Sequence, residues 1–115
     1  MKLQIEGQHL RVRIDEDELA RLLAGNAVHA HTRFAEAFAM VIELKLQADA
    51  ATAKLTGQAD AWRIALPEAA VCDHAGRLPT RDGLRFLLPG RSPGDELTLL
   101  FDVDVRDSVK RRRSS

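Results

Sequence analysis

Apolar and polar positions alternate along most of this chain, and each alternating run predicts a strand with one buried face. Residues 2–6 put Leu3 and Ile5 on one side. Residues 9–14 put Leu10, Val12 and Ile14 on one side, with His9, Arg11 and Arg13 on the other. Gly7-Gln8 separates these runs, which predicts a β-hairpin. Asp15-Glu16-Asp17-Glu18 then breaks the alternation. Asp15, with Glu18 three residues on, makes a capping-box pattern, and acids favour the positive end of a helix dipole. Leu19, Leu22 and Leu23 continue as an apolar stripe up to Gly25-Asn26, so a short helix is expected with Gly25 as its left-handed cap. Alternation resumes over residues 27–34 and 38–47. The turn between them, residues 35–37, is short enough to make the pair antiparallel.

The second half is rougher but follows the same order. Residues 51–56 predict a weak strand, 57–60 a turn, and 61–66 a strand with Trp62, Ile64 and Leu66 on one face. Pro67 suits the first position of a helix, where a missing N–H costs nothing; residues 68–74 form that helix and Ala75-Gly76 end it. Residues 84–88 and 96–105 predict the last two strands, with Leu97, Leu99, Phe101, Val103 and Val105 inward and Asp102 and Asp104 outward.

Shifted by 52 residues, the chain matches itself. Lys2-Leu3 falls on Lys54-Leu55, Arg11 on Arg63, Glu16 on Glu68 and Arg33-Phe34 on Arg85-Phe86. That is six identities in 33 aligned pairs, where ordinary residue frequencies give about two. The expectation is an α+β fold with an internal ββαβ duplication: about eight strands, forming an antiparallel sheet or partial barrel, with two short helices. One domain spans 1–105, with half-repeats at 2–47 and 52–105, followed by a basic flexible tail at 106–115. The expected core is Leu3, Ile5, Leu10, Val12, Ile14, Leu19, Leu22, Leu23, Phe34, Phe38, Met40, Ile42, Leu44, Trp62, Ile64, Leu66, Phe86, Leu99, Phe101 and Val103.

Composition narrows the class. At 115 residues with 30% charged side chains the chain suits one globular domain. No apolar run approaches the roughly 20 residues of a membrane helix, and the alternating start is unlike a signal peptide. One cysteine, Cys72, excludes an internal disulfide framework, and the cytoplasm is the expected compartment. Net charge is zero but uneven. Residues 1–105 hold 12 basic and 16 acidic side chains, while residues 106–115 hold five basic and one acidic. Arginine outnumbers lysine 13 to 4, as a GC-rich bacterial genome would produce.

Several of these segments together resemble a small bacterial family known only as a domain of unknown function. They are the opening hairpin with Leu10-Arg11-Val12-Arg13, the acidic helix start Asp15-Glu16-Asp17-Glu18, the strand ending Thr32-Arg33-Phe34, and the Leu66-Pro67-Glu68 step into a second helix. The resemblance covers roughly residues 1–105 and implies the same hairpin, acidic-capped helix and antiparallel strands. It also implies a cysteine-containing segment after the last strand. This chain departs there, with Asp102-Val103-Asp104-Val105 and an arginine-rich end. No activity, cofactor or ligand follows from the resemblance.

Candidate chemistry is sparse. His29 and His31 stand two apart on a predicted strand, so both imidazoles project from one face. A metal site with Asp102 or Asp104 as third ligand, joined by His9 if its strand pairs alongside, is one alternative, and two solvent-facing histidines are the other. Cys72 and His74 diverge by about 200° on a helix, so they cannot pair as nucleophile and base, and a small packing role is expected for Cys72. Arg11, Arg13, His29, His31 and Arg33, joined by Lys45 and Arg63, fall on outward faces and make the candidate binding surface for phosphates or carboxylates. Cross-strand ion pairs with Glu43, Asp102 and Asp104 would account for the same mixture without a ligand. With every aromatic assigned inward, base stacking has no support, and nucleic acid is not expected beyond a weak contact through the tail. The sequence has no phosphate loop, nucleophile elbow or His-Glu-x-x-His pattern. The function expected is a binding or protein-interaction module without catalysis and without a cofactor. It would act as a homo-oligomer or with a protein partner, and the alternatives are a metal-dependent enzyme using His29 and His31 or a weak nucleic-acid binder.

Overall fold

The computed structural model describes residues 1–105; the basic segment at 106–115 lies outside the described residues. The elements are β1 (Lys2–Glu6), β2 (His9–Asp15), α1 (Glu16–Leu23), β3 (Val28–Phe34), β4 (Phe38–Gln47), β5 (Lys54–Gln58), β6 (Ala61–Pro67), α2 (Glu68–Gly76), β7 (Leu84–Leu88) and β8 (Leu97–Asp104). They form two four-stranded sheets. Sheet I has the order β1-β2-β8-β7 and sheet II the order β3-β4-β6-β5.

Each sheet is two antiparallel hairpins joined side by side through a parallel pair, β2 with β8 and β4 with β6. The hairpins are those expected from the alternation, except that β5 runs Lys54–Gln58 in place of the expected strand at 51–56 and turn at 57–60. The parallel central pairs are not: the sheets are mixed, and neither closes into a barrel. Each sheet takes its two hairpins from opposite halves of the chain. Sheet I joins the first and last hairpins, and sheet II the two between. The element order ββαββ therefore runs twice, with the halves interleaved.

Register shows how far the 52-residue spacing extends. Val12 and Ile64, 52 apart, pair with Phe101 and Leu44, which are 57 apart, and these pair in turn with Leu84 and Val28, 56 apart. The match of Arg33-Phe34 to Arg85-Phe86 therefore joins positions that do not correspond. By register Phe86 corresponds to Ala30.

One face of each sheet enters a common core. Leu10, Val12, Ile14, Leu99, Phe101 and Val103 of sheet I and Val28, Ile42, Leu44, Ile64 and Leu66 of sheet II belong to a single buried cluster. Both helices touch both sheets: α1 packs on β2, β8, β3 and β4, and α2 on β4, β6 and β7. From α1 the cluster takes Leu19 and Leu22, and from α2 Val71. Gly25, at φ 93°, follows the last turn of α1 in the left-handed conformation that glycine reaches without penalty.

The capping box is present as expected. The Glu18 amide donates to Asp15 Oδ1 at 2.7 Å, and the Asp15 amide donates to Glu18 Oε1 at 3.1 Å. The buried Glu18 carboxylate also receives the Met1 ammonium, at 2.9 and 2.8 Å, and so ties the start of β1 to α1. Helix α2 has no such device. Pro67 is its N-cap rather than its first helical residue and makes no side-chain cap bond.

Four expected core residues are outside it: Ile5 is 64% exposed, Phe38 55%, Leu23 43% and Phe34 41%. For the phenylalanines the cause lies in the register. Pairing between β4 and β6 begins at Val41 with Ala61, so the far end of the β3–β4 hairpin extends past β6 as a two-stranded ribbon. Phe34 and Phe38, directly opposite there, stack on each other at 4.8 Å. Leu3, Met40, Trp62 and Phe86 pack against the core only partly buried. Val28, Ala53, Val71, Leu88 and His74 are buried although absent from the expected set. Cys72 is exposed, not a packing residue, and His74, two positions on, is buried.

Candidate functional site

The expected binding surface divides between the two sheets. Arg11 and Arg13 lie on β2 in sheet I, while His29, His31 and Arg33 lie on β3 in sheet II. What sequence grouped as one stripe is two surfaces with different chemistry.

On sheet I the parallel pairing sets Arg13 opposite Asp102. Asp102 takes both guanidiniums. Arg11 donates from Nε and Nη2 to Oδ2 at 3.1 and 2.6 Å, and Arg13 donates from Nε to Oδ1 at 3.0 Å. Burial pushes the Asp102 carboxyl up, but the hydrogen bonds and charges of Arg13 and Arg11 outweigh it and hold the group below its ordinary value. The same bond and charge raise the Arg13 guanidinium. This is a structural clasp across the two central strands. Beside it lies an open hollow of about 200 Å³ lined by Gln4, Glu6, His9, Arg11, Arg85, Thr98 and Leu100. The sequence pattern does not single out Arg85, because only the pairing of β7 with β8 brings it alongside Leu100.

On sheet II, β3 is an edge strand with β4 as its one neighbour. His29 and His31 project from the outer face, their rings stacked at 6.4 Å. His29 Nε2 stands 3.4 Å from Glu43 Oε2 of the neighbouring strand. A shallow hollow of about 320 Å³ lies beside His31 and Arg33 and is lined also by Ala39, Val41 and Asp60. The inner face of the same strand ends in the exposed Phe34–Phe38 stack. The expectation that every aromatic faces inward to the core is therefore corrected, and with it the ground on which base stacking was set aside.

Asp102 does not join His29 and His31: it lies in the other sheet, held by Arg11 and Arg13. His9 is likewise in sheet I. Among the described residues no group of three or more His, Cys, Asp and Glu side chains is placed to hold a metal ion. No helix among them is long and apolar enough to cross a membrane. His74, the buried histidine, packs edge-on to Phe101 at 6.5 Å. Burial first, then the charge of Arg77, lowers its pKa from 6.5, against the opposite pull of Asp102 and Asp73.

These features define a small α+β scaffold of two mixed sheets with polar outer faces and one long open edge. The chain belongs to the family of unknown function DUF7009, whose model matches residues 1–82, from β1 through α2 into the loop that follows. No curated protein and no solved structure matches the chain.

Proposed function

We propose that this protein is a non-catalytic interaction module that takes an extended segment of a partner protein along the open edge of β3. The segment it fits alternates acidic and apolar side chains. One observation carries this: β3, at seven residues, is the longest of the four edge strands and neither contains nor adjoins Lys, Pro or Gly. The other edges are five residues each; β1 and β5 carry Lys2 and Lys54, and β7 is bounded by Gly83 and Pro89. Lysine, proline and short length are the usual protections of an edge against strand addition.

A strand added to β3 gains main-chain hydrogen bonds, and its side chains alternate with those of β3. On the outer face they meet His29, His31 and Arg33, which favour acids. At the inner face they meet Phe34 with Phe38, which favour apolar groups. In an antiparallel pairing of two β3 strands centred on His31, Arg33 of each would face His29 of the other and meet no acid, so the edge offers a second copy no ion pair. A duplicated ββαββ unit is the proposed origin of the scaffold, and the cytoplasm its proposed setting.

The test is fluorescence polarisation with a labelled octapeptide alternating glutamate and valine. The wild type binds it, Arg33→Glu and the double variant Phe34→Ser/Phe38→Ser both weaken binding, and a scrambled peptide of the same composition binds poorly. Equal binding by the variants contradicts the proposal, as does preference for a single-stranded oligonucleotide over the peptide.

A further inference from the structure

Independently of the β3 edge, we infer that the outer face of sheet I carries a second binding site, for a small organic oxyanion (a carboxylate or a phosphate monoester) with a compact apolar body. The site is the hollow of about 200 Å³ between β1, β2, β8 and β7. Register places Gln4, Arg11, Leu100 and Arg85 in one row across the four strands. Neighbouring strands are spaced about 4.8 Å apart, so the two arginines stand about 10 Å apart with Leu100 between them. A guanidinium on each side and an apolar floor is an arrangement that brackets one charged group and seats a hydrocarbon body beneath it.

The Arg–Asp clasp does not consume this capacity. Asp102 is one carboxylate shared by two guanidiniums, which leaves that group of three with one surplus positive charge. Arg11 uses only its Nε and one Nη there, so three of its five N–H donors remain. The Arg85 side chain is exposed and makes no hydrogen bond or ion pair among the described residues. His9, Gln4 and Thr98 add donors around the hollow. Glu6 is the one acid lining it, and it opposes an anion. The volume suits a ligand smaller than the roughly 300–1,000 Å³ of ordinary cofactor sites.

Calorimetric titration at low salt with phenyl phosphate, benzoate and inorganic phosphate tests this on the intact chain. The expected result is saturable 1:1 binding of phenyl phosphate or benzoate, about tenfold tighter than inorganic phosphate, because the ring covers Leu100. The tighter of the two aromatic probes identifies the charged group. Arg85→Gln, on an exposed side chain that the fold does not use, weakens binding about tenfold, and Glu6→Gln tightens it. Arg33→Glu, on the other sheet, leaves it unchanged. No saturable binding of any probe at millimolar concentration overturns the inference. So does binding that Arg85→Gln does not weaken.

Discussion

Sheets I and II have the same connectivity and register, yet their outer faces differ. By register Arg11, Arg13, Leu100, Asp102 and Arg85 of sheet I correspond to Arg63, Ala65, Glu43, Lys45 and His29 of sheet II. In sheet I the acid lies on a central strand and locks two arginines of its central neighbour. In sheet II the acid, Glu43, faces outward to the edge strand, and Lys45 stands where Asp102 would be. Inward positions stay apolar in both sheets because they fill a single core. Outward positions are released from that constraint, so the two faces can carry different chemistry on one scaffold.

The largest expected effect tests the shared core. Phe101 and Leu44 correspond by register and are both fully buried. Phe101→Ala is expected to cost about 3–5 kcal/mol and Leu44→Ala about 2–5 kcal/mol by chemical denaturation. A loss below about 1 kcal/mol at either position would break the equivalence of the two halves.

The helices sharpen the comparison at smaller scale. Glu18 closes the capping box and receives the Met1 ammonium, so Glu18→Ala should cost about 1–2 kcal/mol. The residue 52 positions on is Ala70, and α2 has no side-chain cap. Glu68→Ala should therefore change stability by less than about 0.5 kcal/mol.

Removing the clasp comes next. The arginines are 41% and 37% exposed, so solvent screening holds the cost of Asp102→Asn to about 1 kcal/mol. Lys45→Ala should cost almost nothing.

Asp102 on the outer face and His74 in the interior act in one direction. Asp102 is depressed below 3.8, so its contribution is complete above that pH and is lost as pH falls through its folded value. His74 is depressed below 6.5. The unfolded chain takes up that proton first, so stability is full above 6.5 and falls as pH is lowered. His74→Leu should flatten the denaturation midpoint between pH 7 and the acid limb. A variant that keeps the full slope would remove His74 as its source.

Local signals were legible and non-local ones were not. Hairpins, the capping box and Gly25 depend on neighbours within a few residues: alternation places the hairpins, and the acidic run and leucine stripe place the box and the glycine. The parallel pairs β2–β8 and β4–β6 join segments far apart in sequence and leave no local mark. Without them Asp102 could not be set between Arg11 and Arg13, nor Arg85 beside Leu100. Alternation also names a side chain's face without saying how far the sheet beneath it extends. That is why Phe34 and Phe38 read as core and stand exposed. His29, His31 and Arg33 were legible as outward residues. That their strand is an open edge was not, because strand order is a property of the assembled sheet.

Amide hydrogen exchange across the whole chain, with and without the alternating glutamate–valine octapeptide, tests the proposed use of β3 most directly. Slowed exchange confined to residues 28–34, with residues 2–6, 54–58 and 84–88 unchanged, is the predicted result. Protection at one of the other three edges, or none at saturating peptide, would contradict it.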